Sequence, residues 1–250
     1  MIADPWFYVA AVPAVFILGL SKGGFSALGL LTVPVMALAI SPVQAAGITL
    51  PILVLSDIVA LISYRRVFDV TTLKIVLPGA IVGVAVGWLT ASWVTEPYIR
   101  LIVGVISIVF GVQYFLARGI SAEPAPQNAA KGAFWGALAG FTSFVSHTGG
   151  PPYQVYAAPL RLEPRVFAGT SVLIFAVINA VKIPPYLLLG QFTKENMLTA
   201  AVLVPVAIPA TLFGVWLVKR FDPHSFYIWI YVTILVVGTF LVVQSLGDLL

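Results

Sequence analysis

The chain has 250 residues, of which 60% are hydrophobic and only 9% are charged, and its mean hydropathy is +1.06. Ordinary soluble domains carry about 25% charged residues, so this composition excludes a soluble fold and indicates a protein of the lipid bilayer. The net charge is +4, but the 13 Lys and Arg residues are too sparse for a nucleic-acid-binding face, and the lack of cysteine excludes disulfides and thiolate chemistry.

The first predicted element is an apolar region over residues 5–40 that is interrupted by a polar, glycine-rich run from Ser21 to Ser26. A transmembrane helix needs about 20 apolar residues, so this region is interpreted as two half-helices around an unwound turn. Uninterrupted stretches of spanning length follow over residues 43–64, 75–94 and 98–117.

Residues 118–131 are rich in alanine and proline and are predicted to form an extended linker. The second half opens with another broken region over residues 132–160, whose interruption runs from Ser146 to Pro152. Three more stretches of spanning length cover residues 166–189, 197–218 and 225–246. The predicted fold is an all-α membrane protein with two inverted-topology repeats, residues 1–117 and 132–250, each a broken or re-entrant helical hairpin followed by three transmembrane helices.

The two halves also resemble each other in sequence. At an offset of about 122 residues, the pairs are Pro42 with Pro164, Gly47 with Gly169, Thr49 with Ser171, Asp57 with Asn179, and Tyr64 with Tyr186. Non-helical backbone at membrane depth is tolerated only inside protein or beside a water-filled cavity. Paired broken helices are also typical of secondary transporters with a substrate site near the midplane. The two breaks therefore predict a cavity between the halves.

Loop charges predict the orientation of the halves. If each broken region enters and leaves on one side, nine cationic residues fall on one side and two, Arg100 and Lys194, on the other. If both breaks span, the split is six against five. The nine are Arg65, Arg66, Lys74, Arg118, Lys131, Arg161, Arg165, Lys219 and Arg220. The linker is therefore expected in the cytoplasm and both termini in the periplasm, although the count leaves open whether the first break alone is re-entrant or spanning.

Polar residues in and around the breaks form the candidate substrate site. Helix N-termini at residues 26–29 and 150–153 and nearby hydroxyl groups favour an anion, and ionisable side chains inside a membrane are functional candidates by default. The candidate substrate-binding residues are Ser21, Lys22, Gly23, Gly24, Ser26, Ser146, His147, Thr148, Gly149, Gly150, Asn179 and Lys182. The candidate coupling or gating residues are Asp57 and His147.

The ionisable residues also have structural interpretations. Lys22 can extend to an interface, His147 can be a hydrogen-bonded structural residue, and Asp57 can pair with Lys22 or Lys182 to hold the halves together. Asn179 and Lys182 are three residues apart and share a helix face. One hypothesis is therefore that an arriving anion competes with Asp57 for Lys182.

No catalytic constellation is found in the sequence. Ser146 and His147 are adjacent rather than contributed by separate segments, as a nucleophile and its base would need to be. No metal or cofactor motif and no phosphate-binding loop of the GxxxxGK[ST] type is present. The protein is therefore not expected to be an enzyme.

The sequence resembles the sulfite exporter TauE/SafE family, also called the toluene sulfonate uptake permease family. The resemblance rests on the small size, the two similar halves, the opening Gly19 to Ser26 followed by Val33-Pro34, and the Gly149-Gly150 turn. It implies a secondary transporter of small anions, with sulfite and organosulfonates such as sulfoacetate favoured, working by alternating access in the bacterial inner membrane. Protons are a candidate coupling ion, the oligomeric state is open, and the alternatives are an anion channel and a non-transporting membrane assembly subunit.

Overall fold

The computed structural model of the chain describes residues 1–91, 93, 95–116 and 123–249. Within these residues the chain forms ten α-helices and no strand: α1 Pro5–Lys22, α2 Thr32–Met36, α3 Pro42–Ser63, α4 Val70–Thr90, α5 Glu96–Leu116, α6 Ala129–Ser146, α7 Gly150–Ala157, α8 Pro164–Leu188, α9 Lys194–Val218 and α10 Pro223–Leu249. Seven of these, all except α2, α6 and α7, are long and apolar enough to cross a membrane. The predicted all-α membrane fold class is confirmed.

The six uninterrupted spans correspond to α3, α4, α5, α8, α9 and α10. α4 begins five residues before the predicted Ile75 because the side chain of Asp69 accepts a hydrogen bond from the amide of Thr72. This N-cap stabilises a polar first turn, which a prediction from hydropathy alone does not include in the helix. The predicted span ends at residues 94 and 117, and linker residues 118–122, lie outside the described residues.

Helix interruptions occur at both predicted places, and both reverse the chain. After α1, the turn contains Gly24, whose φ of 137° is a conformation that side-chain-bearing residues rarely adopt. The returning segment lies back along α1, where Thr32 donates to the carbonyl of Ala14 at 3.3 Å. After α6, the returning α7 brings Tyr156 against Gly132 near the start of α6. Each break is therefore the tip of a helical hairpin, called here hairpin 1 (α1 and α2) and hairpin 2 (α6 and α7).

Each hairpin packs on a helix of the other half. Along α1 and α9, Gly19 lies against Ala207 and Gly23 against Gly214, so the two helices run side by side in the same direction. Hairpin 2 does the same, because α6 lies along α4 in the same direction. This reciprocal packing supports two related halves, while their inverted orientation in the membrane stays a prediction.

The contact between α4 and α6 is made by two facing rows of glycine. Residues four apart share one face of a helix, and small residues at this spacing let helix backbones approach closely. A Cβ on Gly83 would lie only 1.9 Å from the carbonyl oxygen of Ala137. The rows are Gly79, Gly83 and Gly87 on α4, and Gly132, Gly136 and Gly140 on α6. Sequence analysis did not predict this contact, although the spacing is visible in the sequence.

Hydrogen bonds identify one end of the bundle, called the linker end. The amide of Asp69 donates to Thr170 near the start of α8 at 2.8 Å, and Gln127 of the linker donates to Asp69 at 3.0 Å. Arg165 donates to the carbonyl of Lys219, after α9, at 3.3 Å. The described cationic residues of the predicted cytoplasmic set lie in helix ends and loops at this end: Arg65, Arg66, Lys74, Lys131, Arg161, Arg165, Lys219 and Arg220. Arg118 lies outside the described residues.

Candidate functional site

A cavity lies where the two hairpin tips meet α3 and α8. It contains about 550 Å³ of space not filled by atoms, part of it open to the surroundings. Its wall includes six of the predicted site residues: Ser21, Lys22, Ser26, His147, Gly150 and Asn179. Apolar side chains, among them Leu18, Leu53 and Phe175, complete the wall. The cavity therefore combines one ammonium group and several hydrogen-bond donors with an apolar surface.

Beside this cavity lies the Asp57 triad, made of Lys22, Asp57 and Asn179, of which Lys22 and Asn179 line the wall. The ammonium of Lys22 lies 2.7 Å from Asp57 Oδ1, and Asn179 Nδ2 donates to Asp57 Oδ2 at 2.7 Å. The side chains of the ion pair are only 8% and 5% exposed. Removing one partner of such a buried pair typically costs 3–5 kcal/mol, because the other charge is left uncompensated.

The triad also joins the two halves at equivalent positions. Asp57 and Asn179 are separated by 122 residues, the offset that relates the halves in sequence. The hydrogen bond between them therefore joins α3 of the first half directly to α8 of the second half.

Lys182 does not pair with Asp57, which corrects the hypothesis that an anion competes with Asp57 for Lys182. Its ammonium donates to the carbonyl of Ser143 at 2.9 Å and lies 3.3 Å from Ser143 Oγ and 3.3 Å from His147 Nδ1. Asn179 and Lys182 share a face, but three helical residues advance about 4.5 Å and leave the side chains about 60° apart. Asn179 therefore reaches α3, whereas Lys182 reaches α6 and lies behind the cavity wall.

His147 lies between the cavity and a second space, called here the vestibule. The vestibule contains about 770 Å³ of space not filled by atoms, part of it open, and its wall includes Glu96, Ser146, His147 and Tyr186. His147 is the left-handed C-cap of α6, with a φ of 55°. Its Nε2 lies 3.0 Å from the hydroxyl of Tyr186. The imidazole is thus the side chain shared by the two spaces.

Besides Asp57 and Lys182, four of the predicted site residues line neither the cavity nor the vestibule: Gly23, Gly24, Thr148 and Gly149. Gly23 packs on Gly214, and a Cβ on Gly149 would lie 2.5 Å from the carbonyl oxygen of Ala139. The hydroxyls of Ser146 and Thr148 lie 2.7 Å apart and satisfy each other. These residues shape the hairpin tips, and a direct contact with substrate stays a prediction.

The N-terminus of α7 offers fewer amide donors than the sequence interpretation assumed. Pro151 and Pro152 occupy its first turn and have no N–H. The amide of Tyr153 donates to the carbonyl of Gly149 at 3.3 Å. Of residues 150–153, only Gly150 therefore has an amide for an anion, and it also lines the cavity.

Gln154, which was not among the predicted site residues, joins the two hairpin tips. Its Nε2 donates to Ser26 Oγ at 2.9 Å, while its Oε1 is buried and has no hydrogen-bond partner among the described residues. A Cβ on the neighbouring Gly150 would lie 2.8 Å from the carbonyl oxygen of Ser26. The signal in the sequence was a lone amide side chain in the apolar segment that follows the second break.

The comparisons with known proteins point to one family. The profile of the family described as sulfite exporter TauE/SafE matches residues 11–241. A protein of Cupriavidus necator named "Probable sulfite/organosulfonate exporter TauE" is 29% identical over 153 residues, which is 59% of this chain. The match spans 55% of the length of that relative. No solved structure matches the chain significantly.

Proposed function

Because the chain belongs to the sulfite exporter TauE/SafE family of membrane transporters, we propose that it carries sulfite or small organosulfonates by alternating access across the bacterial inner membrane. The observation that carries the proposal is the cavity between the hairpin tips, where Lys22 is the ammonium group in the wall. The relative named as an exporter supports the substrate class. Protons are the candidate coupling ion.

The donors around the cavity suit a sulfur oxyanion. Charge-assisted hydrogen bonds from an ammonium to an anionic oxygen are about twice as strong as neutral ones, and Lys22 supplies this contact. Ser26 and the amide of Gly150 supply neutral donors in the same wall, whereas the hydroxyl of Ser21 already donates to the carbonyl of Leu18. The ring of Phe175, whose centre lies 5.8 Å from the ammonium of Lys22, offers an apolar surface to the organic part of a sulfonate.

The Asp57 triad links anion binding to movement of hairpin 1. Lys22 belongs to α1 and Asp57 to α3, so their ion pair holds the tip of hairpin 1 against α3. An anion in the cavity offers Lys22 a second partner and weakens this hold. A ligand shifts a conformational equilibrium only through such differential contacts, and the competition between substrate and Asp57 for Lys22 supplies one.

Purified protein in liposomes tests the proposed function. We expect saturable uptake of sulfite and sulfoacetate that accelerates when the same anion is present inside, since exchange through one alternating site speeds the return step. The exposed-lysine variant Lys74→Met is the matched control and should transport like the wild type. Non-saturable flux would indicate an anion channel, preference for choline or a neutral sugar would contradict an anion site, and no flux would favour an assembly subunit.

Cysteine labelling tests the orientation. The linker end carries the described members of the predicted cytoplasmic charge set, which supports a cytoplasmic linker and inverted halves. The chain has no native cysteine, so Ala3→Cys, Glu123→Cys and Gly247→Cys each create a single exposed thiol. A membrane-impermeant maleimide added outside intact cells is expected to label positions 3 and 247 but not 123. Labelling of position 123 alone would show that the protein has the opposite orientation in the membrane.

A further inference from the structure

Three side chains form a hydrogen-bonded chain from the protein interior to the vestibule. Lys182 is fully buried and its ammonium lies 3.3 Å from His147 Nδ1. His147 Nε2 lies 3.0 Å from the hydroxyl of Tyr186, which lines the vestibule. The amine of Lys182 and the hydroxyl of Tyr186 can each bind and release a proton. The imidazole of His147 can take up a proton on one ring nitrogen and release one from the other. His147 lines the cavity wall, but the proposed function gives none of the three side chains a role in proton transfer.

Lys182 differs from Lys22 in its partners. Within the described residues, no carboxylate oxygen lies within 4.0 Å of its ammonium, whose neighbours are a carbonyl, a hydroxyl and an imidazole. A buried charge is stabilised far better by an opposite charge than by neutral acceptors. Loss of a proton from Lys182 therefore breaks no ion pair, whereas Lys22 is held in one with Asp57.

The charged groups around this chain come from three other helices. Lys22 on α1 and Asp57 on α3 act on Lys182 through space, with opposite signs, and Glu96 on α5 acts on Tyr186. Glu96 also lines the vestibule. Its carboxyl group, which lies 3.6 Å from the guanidinium of Arg100, would draw protons towards the outer end of the hydrogen-bonded chain. The paired Lys22 and Asp57 leave the inner end nearly neutral.

We propose, on the basis of the proposed transport function, that Lys182 is the proton-binding site of the transporter and that Tyr186 and His147 relay its proton from the vestibule. In the unloaded state the amine of Lys182 is neutral and accepts from Nδ1–H, while the Tyr186 hydroxyl donates to Nε2. A hydronium ion in the vestibule then gives its extra proton to the Tyr186 oxygen and becomes water, the tyrosine proton passes to Nε2, and the Nδ1 proton passes to Lys182.

In the loaded state, in which Lys182 carries the proton, the same three side chains are paired. The hydrogen bond between Lys182 and His147 and that between His147 and Tyr186 both have the opposite direction. The Lys182 ammonium donates to Nδ1, and Nε2–H donates to the Tyr186 oxygen, so one proton has entered and no atom is left with an excess. The return transfer in the opposite order unloads the chain. The relay thus works by exchanging the two neutral tautomers of His147.

Proton loading and anion binding should strengthen each other. Ser143 and His147 separate Lys182 from the cavity, and both line the cavity wall. A positive charge directly behind this wall attracts an anion, and by thermodynamic reciprocity a bound anion favours protonation of Lys182. We therefore expect each anion to bind together with one proton.

Calorimetry of methanesulfonate binding to the purified full chain tests the proposal. Methanesulfonate keeps its charge at all relevant pH values, so protons taken up belong to the protein. Titration in two buffers of different ionisation enthalpy gives the number of protons bound per anion. We expect uptake approaching about one proton per anion as the pH rises towards the range of a neutral amine. Lys182→Arg, which keeps a permanent positive charge, should bind the anion without proton uptake.

A second measurement covers the case in which the arginine variant does not fold. Tyr186→Phe keeps the ring that packs on Phe144 and Phe192 but removes the hydroxyl of the relay. It should leave the number of protons unchanged and slow the uptake, followed with a pH indicator in stopped flow, by roughly 100-fold. Anion binding without proton uptake, or unchanged uptake rates in Tyr186→Phe, would overturn the relay alone. Absence of binding for sulfite and methanesulfonate alike would contradict the proposed function as well.

Discussion

Lys22→Met is expected to abolish anion uptake and to lower the free energy of unfolding by about 3–5 kcal/mol. The substitution leaves the buried carboxylate of Asp57 with Asn179 as its remaining side-chain partner and removes the ammonium from the cavity wall. Uptake in liposomes and thermal unfolding in detergent measure the two effects. Lys74→Met, at an exposed lysine of the same charge, should change neither.

The double variant Lys22→Met with Asp57→Asn separates stability from transport. Neutralising both partners removes the uncompensated charge, so most of the lost stability should return. Transport should stay absent, because the cavity wall still lacks its ammonium. Recovery of wild-type uptake in the double variant would show that Lys22 only neutralises Asp57 and does not bind the anion.

Gly83→Ala is expected to prevent stable folding, with a loss of more than about 4 kcal/mol, the range of severe core changes. The added methyl group would lie 1.9 Å from the carbonyl oxygen of Ala137 and 2.8 Å from the amide nitrogen of Phe141. Both atoms belong to the backbone of α6, so no side chain can turn away and the two helices must separate. This loss exceeds the roughly 1 kcal/mol by which alanine is favoured over glycine inside a helix.

Size-exclusion profiles and unfolding temperatures in detergent measure this effect. Gly247→Ala is the matched control, because a Cβ at that helical glycine meets no atom within 4 Å. It should leave the profile unchanged or raise the unfolding temperature slightly. A Gly83→Ala variant that elutes and unfolds like the wild type would mean that α4 and α6 do not approach as closely as described.

In each half a tyrosine contacts the tip of a hairpin, but the charged residues at the two tips differ. Tyr64 at the end of α3 donates to the carbonyl of Gly23 in the tip of hairpin 1. Its repeat equivalent Tyr186 contacts His147 in the tip of hairpin 2. The first tip carries Lys22, whose charge is paired, while the second contains His147 beside Lys182. In the proposed mechanism, the anion-facing charge therefore belongs to the first half and the proton relay to the second.

The membrane fold follows from the sequence alone because its signals are local. A bilayer of fixed thickness requires about 20 apolar residues in a row, so six of the long helices can be read directly from apolar run length. Gly23-Gly24 and the glycine–proline run after His147 interrupt helices through their own backbone chemistry. The positions of both hairpin tips, and hence five of the residues that line the cavity, were therefore predictable.

The pairing of the polar residues was decided only by the tertiary structure. Whether Asp57 meets Lys22 or Lys182 depends on the rotation and depth of three helices, and neither quantity is encoded in apolar run length. The same holds for Gln154 on Ser26 Oγ, a contact between residues 128 positions apart. The glycine rows of α4 and α6 are visible in the sequence, but their mutual contact required two helices to pack in register. Local composition thus determines where the helices break, and helix packing determines which polar side chains pair.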